Sequence, residues 1–226
     1  MTASEALQAS AKAVSRELGR WEIGIDGAIH AVAIVVSIVG AIILIVFAAR
    51  HGGSADVVSV AIYCGGLIAM LGCSAAYNIG QWTRHRLLLR NLDQAAIFFM
   101  IAGTYTPFTV LRLDGAWSVS FTGLVWTLAV AGALVRFLHG RIFDRISIGL
   151  YLALGWLSLA AIFPLVEAVE TTTLILLATG GVLYTVGIVF HLWQRLPFQT
   201  VIRHIFVVAA AAVHYAAVVV AVAQPA

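Results

Sequence analysis

Charge is what this sequence has least of. Only 10% of its 226 residues are Asp, Glu, Lys or Arg, while 62% are hydrophobic. A soluble domain carries roughly 25% charged residues, so that class is excluded and a polytopic membrane protein is expected. Cysteine is nearly absent as well. The two that occur, Cys64 and Cys73, share one apolar segment. Nine positions apart, they face opposite sides of a helix, which excludes an intrahelical disulfide and a metal-binding pair. The single lysine, Lys12, lies in the N-terminal tail. A retinal Schiff base needs a lysine within a span, so a retinal protein is excluded too. Residues 1–26 lack the short apolar core of a signal peptide and carry charges throughout, so they are expected to remain in the mature protein. There is no internal repeat and no separate soluble domain.

What is present is a series of charge-free apolar runs. They cover roughly residues 27–49, 57–79, 94–111, 117–135, 146–166, 171–193 and 204–224. Each is close to the ~20 residues a helix needs to cross the hydrocarbon core. The fold class expected is all-α, a bundle of seven transmembrane helices over residues 27–226, with short connections and antiparallel neighbours. Residues 1–26 form a separate N-terminal segment. Leu7, Ala11, Val14, Leu18 and Trp21 recur there at helical spacing, which fits an amphipathic helix on the membrane surface.

The arginines set the orientation. Of the thirteen Lys and Arg residues, only Arg50 and Arg112 fall on the side that also holds Glu167 and Glu170. The other eleven share the opposite side, so the N-terminus is expected in the cytoplasm and the C-terminus outside, with the chain in a plasma (inner) membrane. Membrane lipids are the expected partners and nucleic acid is not. Trp21, Trp82, Trp117 and Trp193 fall near span ends, where an aromatic belt would hold them. Trp126 and Trp156 fall inside spans, as packing residues would.

Ionisable and polar groups inside spans are costly and therefore candidates for function. Span 1 carries Glu22, Asp26 and His30 at i, i+4 and i+8, one helical face. Span 2 ends in Ser74 and Asn78, again at i, i+4. Span 3 begins near Asp93. Span 7 begins with Thr200 and His204, and His214 follows about 15 Å deeper. Four helices thus send polar side chains toward the arginine-rich end, and a polar cavity is expected there. Its members are Asp26, His30, Ser74, Asn78, Asp93, Thr200, His204 and His214. Simpler roles compete: Asp26 can pair with His30, Asp93 can stabilise a helix N-terminus, and Ser74 and Thr200 can bond back to the preceding turn. Pro107 should free carbonyls near Gly103, which Thr104, Tyr105 and Thr106 can satisfy.

The run LDQAAIFFMIAGTYTPF, the Ser-to-Asn78 spacing of span 2 and the two histidines of span 7 together resemble the hemolysin III family. That family belongs with the progestin and adipoQ receptors and is related to alkaline ceramidases. The resemblance extends over nearly the whole chain. It implies a seven-helix bundle with an inside N-terminus. In zinc-binding members it implies an ion held by three histidines, one from span 2 and two from an HxxxH in span 7. A Ser and an Asp lie close by, as a hydrolase site for amide-linked lipids would have them. Here the span 2 position is Asn78 and the first position of the span 7 pair is Thr200, so His204 is the retained ligand position. Amide and hydroxyl groups are poor zinc ligands.

Three functions follow in order of expectation. The first is a family member without a cofactor, whose cavity binds a lipid or small amphiphile or serves membrane lipid homeostasis. The second is a metal-dependent lipid-amide hydrolase with zinc held by rearranged ligands drawn from Asp26, His30, Asp93, His204 and His214. In that reading Ser74 and Asp93 carry the chemistry, with Asp93 as general base, and His30 must lie within about 8 Å of His204 to share an ion. The third is a pore-forming or hemolytic protein, for which no row of charges along a central axis argues.

Overall fold

The computed structural model of the chain describes residues 20–80 and 83–224, and these are almost entirely helical. The helices are α1 (Arg20–His51), α2 (Ser54–Ile79), α3 (Arg86–Leu111), α4 (Gly115–Leu138), α5 (Gly140–Gly155), α6 (Ile162–Ala168), α7 (Thr171–Leu192) and α8 (Gln199–Ala223). A 3-10 turn, Leu157–Ala161, joins α5 to α6, and the three pieces make one broken span. Among the described residues there are seven stretches long and apolar enough to cross a membrane. The amphipathic segment expected before Trp21 lies outside the described residues apart from the start of α1, which is already helical at Arg20.

The helices from α1 to α5 pack each against the next, as α7 does against α8; the α5–α6 span touches α7 only slightly, and α8 closes the ring against α1. The centre is α3, which touches α2, α4, α5 and α8. It is the least apolar span and the most enclosed: 61% of its most apolar window is buried, against 11–39% in the others. The reversal has a physical cause. A helix bearing Asp93, Gln94 and three threonines is least costly where other helices supply partners, and the lipid face goes to uniformly apolar helices such as α1. There Val32, Val35, Val36, Ile42 and Ile43 are all exposed. Close approach of α2 and α3 depends on small residues. A Cβ at Gly66 would lie 3.3 Å from the Phe99 carbonyl, and one at Gly103 would lie 3.3 Å from that of Ile62, the usual way two spans come within backbone contact.

The Thr-Tyr-Thr-Pro segment is structural, in part differently from expectation. Thr104 donates to the Met100 carbonyl and Thr106 to that of Ala102, both at 2.8 Å. Tyr105 points away from its own helix. Its hydroxyl donates toward the carbonyls of Leu154 (3.2 Å) and Gly155 (2.9 Å) and accepts the Ser158 N–H at 2.8 Å. These are the backbone groups left open where α5 breaks. The break itself, absent from the continuous span expected over 146–166, follows from Pro164. That residue cannot donate to the Ala160 carbonyl, and its ring crowds the preceding turn. Trp126 donates to Thr106 (3.2 Å) and Trp156 to Thr185 (3.1 Å), so both interior tryptophans tie helices together.

Each end of the bundle is clamped by an arginine. At one end Arg136, only 2% exposed, donates to Asp144 at 2.8 Å and to Asn91 at 2.6 Å, joining α3, α4 and α5. Arg90 reaches the same Asp144 oxygen at 3.0 Å. At the other end Arg112 donates to the carbonyls of Ala221 and Gln224, where a cation suits the C-terminus of α8.

Candidate functional site

The polar residues of α1, α2, α3 and α8 meet at the arginine-rich end. On α1 the predicted face is the buried one: Glu22 is 5%, Asp26 1% and His30 2% exposed. His30 Nδ1 lies 2.9 Å from the Asp26 carbonyl and 3.4 Å from its Oδ2, as the local pairing reading required. Across the interface His204, from α8, places Nδ1 against Asp26 Oδ1. Facing a carboxylate oxygen, Nδ1 carries the proton, which leaves Nε2 as the acceptor or ligand atom. The His30 and His204 rings meet edge to face with centroids 4.6 Å apart, well inside the distance a shared ion demands. Asp26, His30 and His204 are the one group of metal-ligating side chains found among the described residues, their ligand atoms all within 4.8 Å of one another.

Beside this group opens a cavity of about 1910 Å³. It runs from the arginine-rich end into the bundle, between α2, α3 and α8 on one side and the α5–α6 span and α7 on the other. Seven of the eight residues expected to line it do so: His30, Ser74, Asn78, Asp93, Thr200, His204 and His214. Asp26 does not. It sits behind His204 as the group that orients the imidazole. His214 lines a deeper part, where its Nε2 lies 3.2 Å from the Leu177 carbonyl and its ring packs by Tyr184. It is outside the metal-ligating group. Gly180 makes room for it, since a Cβ there would lie 2.1 Å from His214 Cδ2.

Asp93 falls two turns inside α3, because the helix starts at Arg86 and not beside the carboxylate. A helix dipole acts mainly over the first turn, so N-terminal stabilisation does not account for it. Its neighbours include Ser74, Arg203, His30 and Asp26. Arg203 is the functional candidate the sequence reading passed over. It was counted among the loop arginines, yet it lies in α8 and lines the cavity. The available signal was its place immediately before His204, inside the apolar period of the last span.

Several buried polar atoms of cavity-lining residues have no hydrogen-bond partner among the described residues: Asn78 Nδ2, Gln94 Oε1, Arg203 Nε and His204 Nε2. Buried polar groups are nearly always hydrogen-bonded, so a cluster of unpaired donors and acceptors on the residues lining one cavity is suited to a polar ligand. The three-histidine zinc set implied by the family resemblance is not available, since Asn78 and Thr200 stand at two of its positions. A different set fits in donor type. One carboxylate and two imidazoles are ordinary zinc ligands, and among the described residues Asp26 Oδ2 and His204 Nε2 make no hydrogen bond.

Comparison with known proteins agrees with the sequence motifs. A family model described as "Haemolysin-III related" matches residues 24–215. "Hemolysin-3" of Bacillus cereus is 35% identical over 186 residues, covering 82% of this chain and 85% of that protein. The "Hemolysin-3 homolog" of Bacillus subtilis is 33% identical over 183 residues, covering 81% and 86%. The human "Monocyte to macrophage differentiation factor" is 31% identical over 198 residues, covering 84% and 79%.

Proposed function

Because this chain belongs to the hemolysin III family and is an integral membrane protein, we propose that it binds a membrane lipid or small amphiphile in the cavity at its arginine-rich end. In this reading that end faces the cytoplasm, as the arginine bias requires, and the protein resides in the plasma membrane. The observation that carries the proposal is the cavity's double character. Asn78, Asp93, Thr200 and His204 supply polar groups near its mouth, while Met100, Ile101, Leu174, Leu177 and Val207 line its interior. A ligand with a polar head and an apolar tail matches both parts.

Saturable binding tests this directly. Purified protein in detergent or nanodiscs is titrated with a single-chain amphiphile, and lipids retained through gentle purification are identified by mass spectrometry. A specific retained lipid, displaced by the added amphiphile, is the expected result. Absence of saturable binding by any single-chain lipid would overturn the proposal.

One observation favours a second reading, a metal-dependent lipid-amide hydrolase. Asp26, His30 and His204 would hold the ion, and a zinc there would supply a Lewis acid and an activated water. The chain's further contribution would be Asp93 taking up a proton beside Ser74. Elemental analysis separates the readings. Zinc at one equivalent per chain, lost in Asp26→Ala and His30→Ala, would favour the hydrolase; metal far below one equivalent after incubation with zinc would remove it.

A further inference from the structure

We infer that Arg203 and Asn78 form a head-group clamp, and that the amphiphile taken by this cavity carries an anionic, phosphate-bearing head. The inference rests on the amphiphile-binding reading and names the class of ligand. Arg203 is the fifth residue of α8 and Asn78 the second-last of α2. Arg203 therefore sits roughly 6 Å and Asn78 roughly 1.5 Å from its helix end, at the level of lipid head groups and not of the bilayer midplane. Both line the cavity. Asn78 is 6% exposed, and among the described residues its Nδ2 has no acceptor.

Arg203 is always charged, and its Nε–H also lacks an acceptor among the described residues. Asp93, Asp26 and Tyr77 are near enough to act on it electrostatically, yet among the described residues it forms no ion pair. A guanidinium and an amide side chain that border one cavity, each with a buried donor left without an acceptor among the described residues, call for a ligand rich in acceptor oxygens.

The approach to the clamp selects further. Arg84, Arg86, Arg141 and Arg195 line the same cavity at its mouth. The carboxylate among them, Asp144, is held by Arg90 and Arg136. The positive-inside bias accounts for arginines at this end, but it does not account for a guanidinium and an amide on the cavity wall whose buried donors are unpaired among the described residues. A phosphate offers more acceptor oxygens and more charge than a carboxylate, and so engages the clamp and the rim together.

The test uses the full chain in nanodiscs and four probes: a single-chain lysophosphatidic acid, a lysophosphatidylcholine, a monoacylglycerol of the same chain, and inorganic phosphate. The expected order in the unmodified protein has lysophosphatidic acid binding at least about tenfold tighter than monoacylglycerol, the equivalent of one charge-assisted hydrogen bond. Arg203→Gln should remove that preference, and Arg203→Lys should keep part of it. Equal affinity for the three lipids, unaltered in Arg203→Gln, would overturn the head-group inference and leave amphiphile binding standing. Binding by none of the lipids would overturn the amphiphile reading itself. Inorganic phosphate that competes as well as the lipid would make this a free-phosphate site and also overturn the proposal. Should Arg203→Gln fail to fold, the head-group series in the unmodified protein still decides.

Discussion

Tyr105→Phe isolates a single hydroxyl whose work is defined by three backbone groups. In the intact protein that hydroxyl donates toward the Leu154 and Gly155 carbonyls and accepts the Ser158 N–H. The ring stays in place in the variant, edge-on to Phe121 with centroids 5.8 Å apart, so little packing changes. What is lost is one donated and one accepted hydrogen bond at the break between α5 and the 3-10 turn. Each is worth about 1 kcal/mol net, and an unsatisfied buried group raises this to about 1–3 kcal/mol. Pairs measured inside membranes run lower, averaging about 0.6 kcal/mol. The expected loss is therefore about 1–3 kcal/mol, measured by equilibrium unfolding in mixed micelles. The loss should also be local. Amide hydrogen exchange should accelerate over residues 156–161 and stay unchanged in α2 and α8. A stability change near zero, or exchange that rises evenly through the bundle, would refute the view that Tyr105 caps the broken span.

Three further outcomes follow from the packing. Gly180→Ala should cost about 1–3 kcal/mol as an overpacked contact, because the new methyl would sit 2.1 Å from His214 Cδ2; adding His214→Ala to it should recover most of that loss in the same unfolding assay. Arg136→Leu should destabilise by about 1–3 kcal/mol, leaving Asn91 without its donor and Asp144 with Arg90 alone; Asp144→Asn should cost less, since Asp144 is 40% exposed. The double substitution Asn78→His with Thr200→His should create a three-imidazole site with His204 and bring zinc to about one equivalent per chain by elemental analysis. A double variant that folds and stays metal-free would show that the three positions do not converge on one ion.

Much of this was legible in one dimension. The spans were, because a bilayer demands runs of apolar residues of fixed length, and residues such as Arg50, Arg112 and Arg136 interrupt or bound them. The convergence on one end was also legible, since alternating helix direction carries Asp26, Asn78, Asp93 and His204 to the same side. Partners were not. His30 and His204 are far apart in sequence, and nothing in periodicity says that α1 lies against α8. Tyr105 reads as part of its own helix motif until the break at Gly155 is seen beside it. Arg203 reads as a loop charge until α8 is seen to begin at Gln199.

The sequence by itself determined that this protein lies in a membrane, how many times it crosses, and which family it resembles. These depend on transfer free energies and local spacing, which are properties of short segments. Only the tertiary structure decided that the least apolar helix stands at the centre, that Asp26 orients His204 from behind the cavity, and that Arg203 opens into it. Those depend on which helices pack side by side. That choice is a matter of shape and of hydrogen bonds satisfied between distant segments, and no single segment contains it.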